Sequence, residues 1–239
     1  MSKLVWDQSG ERLYETGTRN VVLYPMSDGV YQDGVAWNGV TAFTESPSGA
    51  EANDIYADDI KYLSIRSAEE YGATIEAYTY PDEWAECDGS AEIATGVYVG
   101  QQVRKPFGLA VRTVVGNDQS YENYGYKLHL VYNGTASPSE KSYQTINDSP
   151  EAITFSWEIS TTPITIGTDY KNAASITIDS TKADATKLAA LEAILYGSEN
   201  ADARLPLPAE VISTMGSGST GATGDTGSTG DTGTTGGQG

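Results

Sequence analysis

Cysteine, histidine and positive charge are all scarce in this chain. One cysteine, Cys87, among 239 residues rules out an internal disulfide and any thiolate metal cluster. One histidine, His129, joins it in excluding the usual zinc ligand sets. Lysine and arginine total 14 against 33 aspartates and glutamates, a formal charge of −19. That balance argues against gripping a nucleic-acid backbone, because phosphate binding needs clustered cations to displace condensed counterions. An acidic wall instead keeps nearby DNA from sticking. No apolar run reaches membrane-spanning length, and "MSKLVWDQSG" lacks the apolar stretch of a secretory signal. The expectation is a soluble protein made in a cytoplasm, with no membrane insertion.

Catalytic patterns are equally thin. His129 sits mid-strand in "YKLHLVY" with no nucleophile elbow near it, so a structural role is the better reading. No phosphate-cradling loop and no dinucleotide fingerprint occurs; the glycine-rich stretch is terminal and has no strand–helix context. Two carboxylate groups invite a metal reading: Asp54, Asp58 and Asp59, then Asp82, Glu83, Glu86 and Asp88. Neither matches the twelve-residue calcium loop, with its sixth-position glycine and closing glutamate. A loose calcium site and a carboxylate pair for glycoside hydrolysis stay open, with a solvated acidic loop the commoner outcome, and the expectation is no enzyme activity, no cofactor and no metal.

What is present is β-strand pattern. "EAITFSWEIS" (151–160) alternates, with Ile153, Phe155, Trp157 and Ile159 on one face and Thr154, Ser156, Glu158 and Ser160 on the other. Further strands are expected at Arg19–Pro25, Val35–Thr44, 60–65, 72–80, 107–115, 125–132, 141–146 and 174–180. Asp28-Gly29, Asp33-Gly34 and Asn38-Gly39 supply chain reversals. The loop 81–100 reads as acidic, with at most one helical turn. The fold class is mainly β: a two-sheet antiparallel sandwich or barrel with one flanking helix over about 182–196. In that helix Leu188, Leu191, Ile194 and Leu195 make one stripe, Thr181 or Asp184 can cap the start, and Gly197 can close it.

"RLPLPAEVI" (204–212) reads as an extended arm, because prolines are excluded from helix interiors. Two units follow: a folded domain 1–212 and a tail 213–239. Glycine recurs at every third position from Gly218 to Gly239, the collagen period, but the segment has no proline to preset the backbone. It reads as a flexible hydrophilic tail. Sixteen tyrosines and four tryptophans are many for this length, and Trp6, Trp37 and Trp84 fall in or beside loops. There they can stack on sugars, anchor partner subunits, or simply cover sheet edges. One reading is thus a β-sandwich carbohydrate-binding or adhesin module.

"KLVWDQSGERLYETG" (3–17), "GVAWNGVTAFTESPSGAEA" (34–52), "EEYGATIEAYTYPDEWAECDGS" (69–90), the run "GYKLHLVYNGTASPSEKSYQTINDSPEAITFSWEISTTP" (125–163) and "LAALEAILYG…RLPLP" resemble the major tail proteins of long-tailed, non-contractile bacteriophages of Gram-positive hosts. The resemblance runs to about residue 212; the glycine-period tail departs from it. It implies a tail tube fold in a virion structural protein without catalytic residues. Six copies would close a ring by joining four strands each, edge to edge, and rings would stack through loops and terminal arms. The implied partners are further copies of the chain, a tape-measure protein, the tail terminator and distal tail proteins, with viral DNA passing through unbound. The implied lumen strands are 38–46, 71–80, 128–145 and 151–161, with Glu45, Thr74, Glu76, Thr154, Ser156 and Glu158 facing the channel.

Overall fold

The computed structural model describes residues 3–146, 148, 151–167 and 170–216. A long strand β1 (Leu13–Ser27) turns through Asp28-Gly29 into β2 (Val30–Tyr31). Both turn residues have positive φ, as a two-residue hairpin matched to strand twist requires. β3 (Val35–Ala36) pairs back on β1, and Asn38-Gly39 leads into β4 (Val40–Glu45). A long excursion follows. β5 (Ser48–Gly49) starts its stem, β6 (Ala52–Ala57) and β7 (Ile60–Arg66) form a hairpin, and β8 (Glu69–Glu70) closes the stem on β5. β9 (Gly72–Ala77) then returns beside β4. A single helical turn, α1 (Trp84–Cys87), precedes the hairpin β10 (Ala91–Ala94) and β11 (Val97–Val99). The long strands β12 (Phe107–Asn117) and β13 (Tyr121–Ala136) come next, then β14 (Phe155–Thr161), β15 (Ser175–Asp179), α2 (Ala185–Tyr196) and α3 (Pro208–Met215).

One antiparallel sheet organises the molecule, in the order β2-β1-β12-β13-β14-β9-β4, with β3 also on β1 and β15 also on β13. Though distant in that order, β1 and β4 lie against each other, so the sheet curls into two layers. The mainly β, antiparallel, sandwich-like fold is the one the strand pattern predicts.

The curl encloses a first core containing Leu23, Ile75, Leu109, Val111, Val131, Trp157 and Ile159, together with Trp37 and Trp84. Full burial of a ring such as Trp157 or Trp84 removes on the order of 200 Å² from water, worth about 5 kcal/mol at ~25 cal/mol/Å². A second core lies on the other side of β1, β12 and β13, where Tyr24, Ala110, Leu128, Leu130 and Tyr132 meet Leu188, Leu191 and Leu195 of α2 and Val211 of α3. These strands bury both faces. That is why "FGLAV" is a continuous apolar run and not an alternating one.

α2 starts where its cap predicts: the Asp184 carboxylate accepts from the backbone N–H groups of Thr186 and Lys187, both at 3.0 Å. Gly197 ends it at φ 79°.

Three expectations change. The segment 204–212 is not a free arm, since Pro208 opens α3 from its first turn, where a missing N–H costs nothing. It is docked on its own subunit, with Leu205 and Val211 buried and the Tyr132 hydroxyl donating to Pro206 O at 3.0 Å. A second flanking helix therefore exists, and it runs to Met215, beyond residue 212. The segment 141–146 is not in a strand, because among the described residues no strand pairs with it. The stretch 217–239, with the glycine-period tail, lies outside the described residues.

Candidate functional site: a bare polar wall

The helices cover only half of the sheet. α2 and α3 lie over β1, β12 and β13, while the outer face of β14, β9 and β4 has no layer of its own chain over it among the described residues. These three strands form one continuous wall. Its register places Trp157 opposite Ile75 and Ile75 opposite Phe43, all towards the core. The neighbouring row is Glu158, Thr74 and Thr44, and the next is Ser156, Glu76 and Ala42. Paired residues of antiparallel strands share a face, so the polar row stands outward wherever the apolar row stands inward.

Of the six residues singled out in the sequence, Thr74, Glu76, Ser156 and Glu158 come together on this wall. Thr154 is exposed one residue ahead of β14, outside the ladder. Glu45 does not join them. It pairs with Ala73, which pairs with Ile159, so its strand parity is that of the core row. At the end of β4 it escapes the core and accepts a hydrogen bond from the Tyr71 hydroxyl at 2.8 Å. Its Oε1 also lies 3.5 Å from His129 Nδ1. The sequence carried the signal: Phe43 marks the core parity of β4, which puts Thr44, and not Glu45, on the polar face.

Among the described residues no cation pairs with Glu76 or Glu158. Several cations are paired with other carboxylates, as in Arg204–Glu210, Lys105–Glu86 and Lys61–Asp54. The wall is thus a hydroxyl-and-carboxylate surface of one charge sign.

Two apolar features accompany it. The hairpin β6–β7 is exposed along nearly its whole length. Ile55, Leu63, Ile65 and Ile60 lie on one of its faces by register, while the opposite face carries the Asp54–Lys61 ion pair at 2.8 Å. The second feature is β4 itself, which ends the sheet and, among the described residues, has a ladder on one edge only.

The remaining chemistry is structural. His129 Nε2 lies 2.9 Å from Thr113 Oγ1, and Nδ1 lies 3.4 Å from Thr177 Oγ1, which makes it a strand histidine held by hydroxyls. Asp58 and Asp59 both have positive φ and form the two-residue turn of β6–β7, which accounts for their pairing without a metal. Among the described residues no group of three or more His, Cys, Asp or Glu is placed to hold a metal ion. Cys87 is buried, and burial pushes its thiol up to about 12. Trp37 and Trp84 pack against each other in the first core, tilted by 51° with 4.6 Å between ring centroids, and both are buried, so neither offers a face to a sugar. Trp6 is the exposed one. Among the described residues no helix is long and apolar enough to cross a membrane.

No protein-family model and no curated protein matches the chain. Among solved structures it is similar to a chain of the six-fold symmetrised cryo-EM structure of the anti-feeding prophage (AFP) baseplate, at 8% identity and a TM-score of 0.34, over 76% of this chain and 99% of that one. A likeness at that TM-score carries no argument about fold or function.

Proposed function

We propose that the chain is the subunit of a phage tail tube, in which copies join around a ring and rings stack into a conduit for DNA. The observation that carries this reading is the bare wall: β13, β14, β9 and β4 are consecutive in the sheet, and the last three present an unpaired, like-charged polar face. A surface of that kind suits a wet channel through which a polyanion slides without binding. The open edge of β4 supports the same reading, since exposed sheet edges are normally covered or closed. Ring closure pairs every such edge with a neighbour.

In this proposal Thr74, Glu76, Ser156 and Glu158 line the channel, with Thr154 at its margin and Glu45 outside the lining set. Six subunits would carry 6 × −19 = −114 formal charges per ring. The apolar face of β6–β7 supplies a stacking surface between rings, because a two-stranded hairpin is not stable with its apolar side in water. The folded unit is the tube domain, the glycine-period tail an appendage, and the tape-measure, terminator and distal tail proteins are its proposed partners.

Negative-stain microscopy of the purified chain, alone and with initiator proteins, tests the proposal. Rings or tubes with a DNA-wide channel are expected at high concentration. A strictly monomeric species under every condition overturns it.

A further inference from the structure

Residues 138–146 leave β13 as a strap that, among the described residues, is tied to the rest of the subunit by one seated lysine. Ser137 N–H donates to Glu158 O at 2.8 Å; beyond it, residues 138–146 make no backbone hydrogen bond with any described residue. Tyr143 and Ile146 are exposed. Lys141 is the exception. Its ammonium pairs with the Asp88 carboxylate, at the end of α1, and lies 5.4 Å from the Tyr80 ring centroid and 5.9 Å from that of Trp157. Asp88 is well buried, its side chain 8% exposed, with Arg104 Nη2 at 3.8 Å as a second cation. Around the ammonium lies a cavity of about 250 Å³ lined by Tyr80, Asp82, Asp88, Ser90 and Tyr98. A cation between ring faces and a shielded carboxylate is held far more firmly than one on an open surface.

The strap also has the composition of a strand, "KSYQTI", without a ladder to any strand among the described residues. At the far end of the sheet β4, although β1 packs against it, has one edge without a ladder among the described residues. One chain thus carries both halves of a heterologous contact, the arrangement that joins identical copies head to tail and closes into a ring when the rotation permits.

We infer that the Lys141–Asp88 seat is a positioning device: it presents the strap, with its backbone groups unspent, to the β4 edge of a second copy. The inference rests on the tube reading for its partner but not for the seat. Seating the strap in advance removes part of the ordering entropy that docking an unrestrained segment meets. Lys141 spends only its side chain on the seat, which leaves the main chain free to add a strand.

Full-length wild type, Lys141→Met and Asp88→Asn proteins test this, with circular dichroism to verify the fold. Lys141→Met keeps most of the apolar stem and stands in if Asp88→Asn, which also strips Arg104 of a partner, fails to fold. The first readout is endoproteinase Lys-C cleavage after Lys141 in dilute monomer. Cleavage is expected at least tenfold slower in wild type than in Asp88→Asn, or, if that variant does not fold, slower than after the open-lying Lys182. Equal rates overturn the seat. The second readout is the concentration for half-assembly by sedimentation, expected to rise at least tenfold in Lys141→Met and to recover partly in Lys141→Arg. An unchanged threshold overturns the positioning role. A wild type that never assembles overturns the tube reading and the docking step with it, while the cleavage rates still judge the seat.

Discussion

Reversing the two wall carboxylates is the most direct way to ask what the bare face looks at. Glu76 and Glu158 lie on adjacent strands, one pairing with Ser156 and the other with Thr74, with no cation attached to either. The double variant Glu76→Lys, Glu158→Lys changes each subunit by four charges, from −19 to −15, and a six-membered ring from −114 to 6 × −15 = −90. The inward row of Trp157, Ile75 and Phe43 is untouched, so the subunit should lose no more than about 0.5 kcal/mol of stability. The effect on DNA should be large. For each lysine–phosphate contact made, a fourfold rise in salt weakens binding about 3.5-fold, so any two contacts among the twelve new lysines of a ring give about twelvefold. The assay is DNA retention and ejection in virions or tubes built from the variant, between low and high salt. Retention should rise steeply at low salt and fall away at high salt. Glu45→Lys is the control: its parity keeps it off the wall, so it should lose the Tyr71 and His129 contacts without gaining salt-dependent retention. Normal tubes with unchanged ejection at every salt concentration would refute the lining assignment. So would an equal effect from Glu45→Lys, and loss of tubes from a folded double variant would place the wall at subunit contacts instead.

Tyr24→Phe removes the hydroxyl that donates to Leu195 O at 2.7 Å in the second core, and should cost about 1–3 kcal/mol by urea unfolding. Asp184→Ala strips the cap of α2 and should cost about 1 kcal/mol in the same measurement. Ile60→Asp with Ile65→Asp puts charge on the apolar face of β6–β7; stacked tubes should disappear under the microscope while the subunit melts as before. The Arg204 hydrogen bonds hold the Glu210 carboxyl below the ordinary glutamate range. A depressed carboxylate stabilises the fold above its unfolded pKa and loses that effect as pH falls through its folded one. The gap in thermal midpoint between wild type and Arg204→Gln should therefore be present at neutral pH and shrink below the ordinary glutamate value, about 4.3.

Much of the fold was legible because periodicity is a local property. Alternation in 151–160 announced both faces of β14, and the Leu188, Leu191, Leu195 stripe with Asp184 before it announced α2. What sequence could not show depended on partners far along the chain. Trp37 and Trp84 sit beside turns and look exposed, yet the curl of the sheet closes over both. Pro208 reads as a helix breaker until its position in the first turn is known. Glu45 lies on a strand that the resemblance assigns to the lumen, but its parity is that of Phe43, which sets it off the polar row. The strand expected at 141–146 does not form, because a strand preference needs a neighbouring ladder to be expressed, and none lies there among the described residues.

The edge of β13 has a mechanical consequence. It carries β15 along Lys127–Val131 and then, further on, β14 at Gly134, Thr135 and Ala136. The helix-covered half and the wall are therefore joined by a three-residue ladder, extended by Thr162 N–H to Asn133 O and Ser137 N–H to Glu158 O. Gly134 stands in this seam with Phe107 and Ile159 only 3.2 Å from where a Cβ would lie, so the junction is thin but without slack. Within the sheet, load applied to the wall reaches the helix-covered half through that seam, while the shared first core and the β1–β4 contact brace the two layers face to face. In the proposed tube this seam would be the more compliant line of each subunit's sheet, and a filament would bend by many small tilts there while its bore kept its width.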